Sequence, residues 1–124
     1  SVEEWSGFVE WSQPFSKEIE ENNGLSSKFH EKLALVLRLQ SKYDSALYHV
    51  QIARARLPKN ESTDSQAGLY YLLSTIYYNE SEFGKSLIML DSARDLARSL
   101  DLRRAILFQE AKYFLLQKDK PKPF

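Results

Sequence analysis

The sequence predicts an all-α fold built from stacked helix pairs, and three observations carry that expectation. Apolar residues recur at spacings of three and four over most of the chain, which is a helical period. The alternation of a half-buried strand is absent. Shifting the chain by 40 residues lays it on itself, so the elements come in repeated pairs.

Seven helices are expected. The first covers about 2–12 and is aromatic, with Trp5, Phe8 and Trp11. A short one follows Pro14, which suits a first helical turn because its missing N–H is not needed there. Asn22-Asn23-Gly24 is expected to stop it. The third spans about 27–40, with Phe29, Leu33, Ala34 and Leu37 on one face. The fourth spans about 43–57 and ends before Pro58, with Ala46, Val50, Ala53 and Leu57 on one side. After a polar loop, Ser62, Thr63 or Asp64 caps the fifth, about 65–79. The sixth covers about 83–99 and the seventh about 101–117.

The 40-residue register is specific. His30 falls on Tyr70, Leu33 on Leu73, Ala34 on Ser74 and Leu37 on Tyr77. Tyr43 falls on Phe83, Ala46 on Ser86, Val50 on Leu90 and Ala53 on Ala93. Short turns, Gln40-Ser41-Lys42 and Glu80-Ser81-Glu82, join the two helices of each copy. Small residues at 34, 46, 74 and 86 let antiparallel helices approach closely, and larger neighbours fill the seam. One pair cannot bury its apolar faces alone, whereas stacked pairs can.

Ser41-Lys42-Tyr43-Asp44-Ser45-Ala46-Leu47 and Ser81-Glu82-Phe83-Gly84-Lys85-Ser86-Leu87 resemble the turn and second-helix start of the tetratricopeptide repeat (TPR). Ala46, Val50, Ala53 and Pro58 have the spacing of its landmarks, although Val50 and Leu90 are aliphatic where an aromatic is usual. The long period is similar to the longer-helix subgroup of that family. The resemblance implies a right-handed superhelix of antiparallel helix pairs. It divides the chain into an N-terminal helical segment (1–25), a TPR-like array (26–118, with repeats at about 27–60 and 67–100 and a half repeat at 101–118) and a flexible basic tail (119–124).

The resemblance also implies function: a non-enzymatic scaffold that binds a peptide or helical segment of a partner protein in a concave groove lined by the first helix of each pair. The residues expected there are Lys28, Glu31, Lys32, Leu35 and Arg38, then Tyr71, Thr75, Tyr78 and Asn79, then Phe108, Gln109 and Lys112. Two other readings of the array stay open: the sensory or effector-binding part of a larger regulator, and an architectural subunit of a large assembly. The family's carboxylate clamp for chaperone tails is not expected, because Glu31, Leu35 and Leu72 occupy the corresponding places.

Composition points the same way. The formal net charge is zero, so neither nucleic acid nor an anionic membrane surface is an expected partner. No apolar run approaches the ~20 residues of a membrane helix, and the acidic start Val2-Glu3-Glu4-Trp5 does not resemble a signal peptide. A cytoplasmic location is the expectation. The chain has no cysteine, no glycine-rich phosphate loop and no metal-ligand motif. His30 and His49 are far apart in sequence, without ligand-like spacing to carboxylates. No catalytic residue, cofactor or metal is therefore expected.

The last helix stands out. Leu102, Ile106, Leu107, Phe108, Ala111, Tyr113, Phe114 and Leu115 make it apolar nearly all round. A terminal element of an array needs a polar outer face, so 101–117 is expected either to be followed by more of the array or to meet another copy. Residues 1–26 carry six acids against Lys17, whereas 103–124 carry six bases against two acids. An end-to-end contact is thus a second way for copies to meet.

Overall fold

The computed structural model describes residues 13–119, with side chains as far as Leu116, together with Gly7 and Glu10. It is all-helical, with no strand among the described residues. A 3-10 turn, Gln13–Phe15, leads into α1 (Ser16–Glu21), α2 (Asn23–Leu39), α3 (Tyr43–Arg56), α4 (Thr63–Asn79), α5 (Phe83–Leu96) and α6 (Leu100–Asp119). Six α-helices are described rather than the expected seven. The helix expected over 2–12 lies outside the described residues apart from Gly7 and Glu10, as do residues 120–124 of the tail.

The repeat is present in the backbone. The bounds of α2 and α4 differ by 40 at both ends, as do those of α3 and α5. The caps repeat as well. Asn22 Oδ1 accepts from Leu25 N at 2.9 Å and Ser62 Oγ accepts from Ser65 N at 3.3 Å, each satisfying a donor that the first helical turn leaves unpaired. At the far ends the turns match bond for bond. Lys42 N donates to Leu37 O at 2.8 Å and Ser41 N to Arg38 O at 2.9 Å, while Glu82 N donates to Tyr77 O at 2.8 Å and Ser81 N to Tyr78 O at 3.0 Å. This is the Schellman arrangement, whose left-handed position is held here by serines, both at φ 62°.

Two boundaries differ from expectation. Asn22 alone breaks the chain: its backbone is extended and its side chain caps α2, so α2 begins at Asn23 and Gly24 sits inside its first turn. Helix α5 ends at Leu96 rather than near 99. The Asp64 carboxylate, at the start of α4, accepts from the backbone N–H groups of Arg98 and Ser99 and takes those residues out of the helix.

Each hairpin closes on small residues. Ala34, Ala46 and Val50 are fully buried in the first, and Ser74 and Ser86 in the second. Ser86 Oγ donates to Ser74 O across the second seam, and Ser27 Oγ donates to Ala53 O at 2.7 Å near the open end of the first. Helix α4 then belongs to both cores. Leu72, Leu73 and Ile76 pack with Ala34, Leu37, Ala46 and Val50 of the first hairpin. Ala67 packs with Leu90, Ala93, Ile106 and Tyr113 of α5 and α6. Each fully buried Leu or Ile contributes roughly 1.5–3 kcal/mol, so α4 ties the layers together.

Helices α2, α4 and α6 run side by side in the same direction. Glu31, midway along α2, lies next to Gly68 in the first half of α4, and Arg38 meets Asn79 near their ends. Asp64 meets Ser99 at one end of α4 and α6, and Tyr78 meets Tyr113 at the other.

Candidate functional site

The face shared by α2, α4 and α6 holds most of the residues expected in a groove. At the N-terminal end of these helices, a cleft of about 370 Å³ opens between Ser27, Lys28 and Glu31 of α2, Asp64, Ser65 and Gly68 of α4, and Ser99 and Leu102. Gly68 lines this cleft without a side chain, and a Cβ there would make an ordinary contact 3.8 Å from Glu31 Oε2. Burial pushes the Glu31 carboxyl above its usual range, with Lys32 and Lys28 opposing. Lys28 is exposed at the rim.

At the C-terminal end, Arg38 Nη1 donates to Asn79 Oδ1 at 3.3 Å and bridges α2 to α4. Lys112 of α6 sits over two rings, with its Nζ 5.6 Å from the centroid of Tyr78 and 5.2 Å from that of Phe108. Such contacts are worth about 0.5–1 kcal/mol when exposed. Tyr78 also makes edge contacts with Phe83 and Tyr113, at 5.5 and 5.4 Å between centroids, so half of it is structural.

Not every expected residue reaches this face. Thr75 is buried and its hydroxyl donates to Leu72 O at 2.7 Å. Gln109 is buried at 1% exposure. Leu35 and Tyr71 are half-buried, packed against the first and second cores. Helix α4 is covered on two sides, so its accessible strip is narrow and holds Gly68, half of Tyr78, and Asn79. Asn79 and Phe108 are exposed.

A second cluster escaped the sequence reading. His30 and His49 stack at 5.0 Å with their rings 16° apart and their Nδ1 atoms 2.8 Å apart. His30 Nε2 lies 3.5 Å from Glu20 Oε1, and Glu20 pairs with Arg56 at 3.3 Å. An N–H on Nε2 facing the carboxylate leaves His30 Nδ1 bare, so it accepts from His49 Nδ1–H. The network joins α1, α2 and α3. Burial holds both imidazoles below their ordinary range; for His30 this outweighs the attraction of Glu20, and for His49 the neighbouring His30 adds to it. The available signal was the turn at 40–42, which folds α3 back along α2 and so can bring the two histidines on either side of it together.

Among the described residues, no group of three or more His, Asp or Glu side chains is arranged to hold a metal ion, and no helix is long and apolar enough to cross a membrane. No protein-family model, no curated protein and no solved structure matches the chain.

Proposed function

We propose that this chain is a tetratricopeptide-like module that acts as a non-enzymatic protein-interaction scaffold. In this reading it takes a peptide or a helical segment of its partner along the face shared by α2, α4 and α6. The observation that carries the reading is the repeat itself: two hairpins with identical bounds, caps and turns, whose first helices lie side by side with α6. That arrangement sets side chains from three helices along one strip.

The strip has a definite chemistry. Lys28, Arg38 and Lys112 supply positive charge, and the Tyr78 and Phe108 rings supply apolar surface. Arg38 Nη1 donates to a neutral amide at 3.3 Å. A carboxylate on a ligand is a stronger acceptor for a guanidinium than an amide oxygen is, so an acidic group displaces Asn79. The matching ligand carries an apolar anchor flanked by acids. Aromatic and arginine anchors dominate interfaces of this kind.

The test uses peptides selected from a random library on the immobilised chain. Arg38→Glu and Lys28→Glu are expected to weaken binding at least tenfold. Tyr48→Ser and Ile88→Ser, on exposed positions of α3 and α5, are expected to leave it unchanged. The opposite pattern would overturn the reading.

A further inference from the structure

We infer that the outward face of α6 is a homodimer interface, in which two copies of α6 run antiparallel across a two-fold axis at Ala111. The face shares Phe108 and Lys112 with the edge of the proposed strip, and its test reads self-association alone.

Leu107, Phe108, Phe114 and Leu115 are 63, 66, 69 and 58% exposed. With Ala111 they form one stripe, opposite the buried side made by Ile106, Gln109 and Tyr113. Four such side chains present on the order of 500 Å² of apolar surface. That is at the upper end of what a monomer shows to water, and two copies together reach the lower bound of a specific interface.

The stripe has the design of a hairpin seam. Leu107, Ala111 and Phe114 repeat the spacing of His30, Ala34 and Leu37 in α2 and of Tyr70, Ser74 and Tyr77 in α4. In both of those helices the middle residue is small and fully buried, because a second helix crosses there. In α6 the middle residue, Ala111, is exposed. The sequence directly after α6 carries prolines that do not suit a crossing helix in the same register. Helix α6 continues to Asp119 without the serine turn that ends α2 and α4. In the register set by this stripe, Pro121 and Pro123 stand where the second helices have Asp44 and Ala46, and Pro123 would fall past the first turn.

A second copy does supply one. Residues 107–115 read Leu-Phe-Gln-Glu-Ala-Lys-Tyr-Phe-Leu, which is symmetric about Ala111 in its outward positions. An antiparallel two-fold contact brings Leu107 to the partner's Leu115, Phe108 to the partner's Phe114, and Ala111 to the partner's Ala111. The small residue at the crossing repeats the Ala34–Ala46 and Ser74–Ser86 seams. At the flanks the same axis relates Glu110, whose Oε2 already pairs with Arg94 at 2.7 Å within the chain, to the partner's Lys112, acid to base. Farther out it relates sequence positions 104 and 118, both of which are basic. A two-fold interface needs a patch complementary to itself, and this patch is. A different partner would require no such symmetry.

Light scattering on the chain is expected to give about 29 kDa, twice its 14.4 kDa mass. Ala111→Glu sets two carboxylates against each other on the axis and is expected to give the monomer with unchanged helix content, since Ala111 is exposed. The chain has no cysteine, so single-cysteine variants report orientation. A mixture of Leu107→Cys and Leu115→Cys is expected to form the mixed disulfide faster than either variant alone forms its own. A monomer at tens of micromolar, a dimer that survives Ala111→Glu, or faster self-linking of Leu107→Cys would each overturn the inference.

Discussion

His30 and His49 face each other across the first hairpin with their Nδ1 atoms 2.8 Å apart, and the contact requires a bare nitrogen on His30. Both imidazoles titrate below the ordinary 6.5. The unfolded chain therefore takes up protons first as pH falls below about 6.5, and stability present above that pH is lost on the way down. Glu31, raised above 4.5 by burial, has the opposite sign, because in the unfolded chain it holds its proton less tightly; its effect sits lower, near and above pH 4.5. Between pH 7 and 5.5 the denaturation midpoint is expected to fall. The double variant His30→Gln, His49→Gln is expected to flatten that slope.

The two hairpin turns carry removable strain. Ser41 and Ser81 both sit at φ 62°, a left-handed conformation that costs a residue with a Cβ about 1–2 kcal/mol. Glycine relieves that cost and gives back part of it as chain entropy. Ser41→Gly and Ser81→Gly are each expected to stabilise by about 0.5–1 kcal/mol. Ser41 and Glu80 line one shallow pocket, so the double variant reads whether the two effects add or couple. Urea denaturation of the two single variants and the double variant measures this.

The seams tolerate no extra bulk. Ala46 and Ser86 are both fully buried against the first helix of their pair. Ala46→Leu is expected to cost about 1–3 kcal/mol by overpacking. Ser86→Ala keeps the size and removes only the bond to Ser74 O, so its cost is expected to be smaller, about 1 kcal/mol. Equal losses for the two would mean that closeness of approach is not what the small residues provide.

Much of this fold was legible in the sequence because its signals are local and occur twice. The small–large pattern of Ala34 and Leu37 recurs in Ser74 and Tyr77, and the turn serines recur at the same interval. What failed to show was set from a distance. The end of α5 depends on Asp64, more than thirty residues upstream. The linker before α6 is three residues, against six before α4, which takes α6 out of the 40-residue register, although its start at Leu100 agrees with the expected 101. The burial of Thr75 and Gln109 followed from neighbours on more sides than an amphipathic pattern reveals. The histidine pair is invisible until the first hairpin is folded at its turn.

Asp64 acts as a clasp between layers. It starts α4, and its carboxylate receives the N–H groups of Arg98 and Ser99 just before α6. Asp64→Ala leaves those donors without their charged acceptor and is expected to cost about 1–2 kcal/mol. Hydrogen exchange should show faster opening at Arg98 and Ser99 than in the hairpin turns of the same variant. Unchanged protection there would show that the clasp does not hold the junction.

The central claim is that the strip along α2, α4 and α6 receives the partner. Amide chemical-shift mapping with a library-selected peptide tests it most directly. The largest shifts are expected at Lys28, Arg38, Asn79 and Lys112, with little change at Tyr48 and Ile88. Shifts centred on Tyr48 and Ile88, with the strip silent, would contradict it.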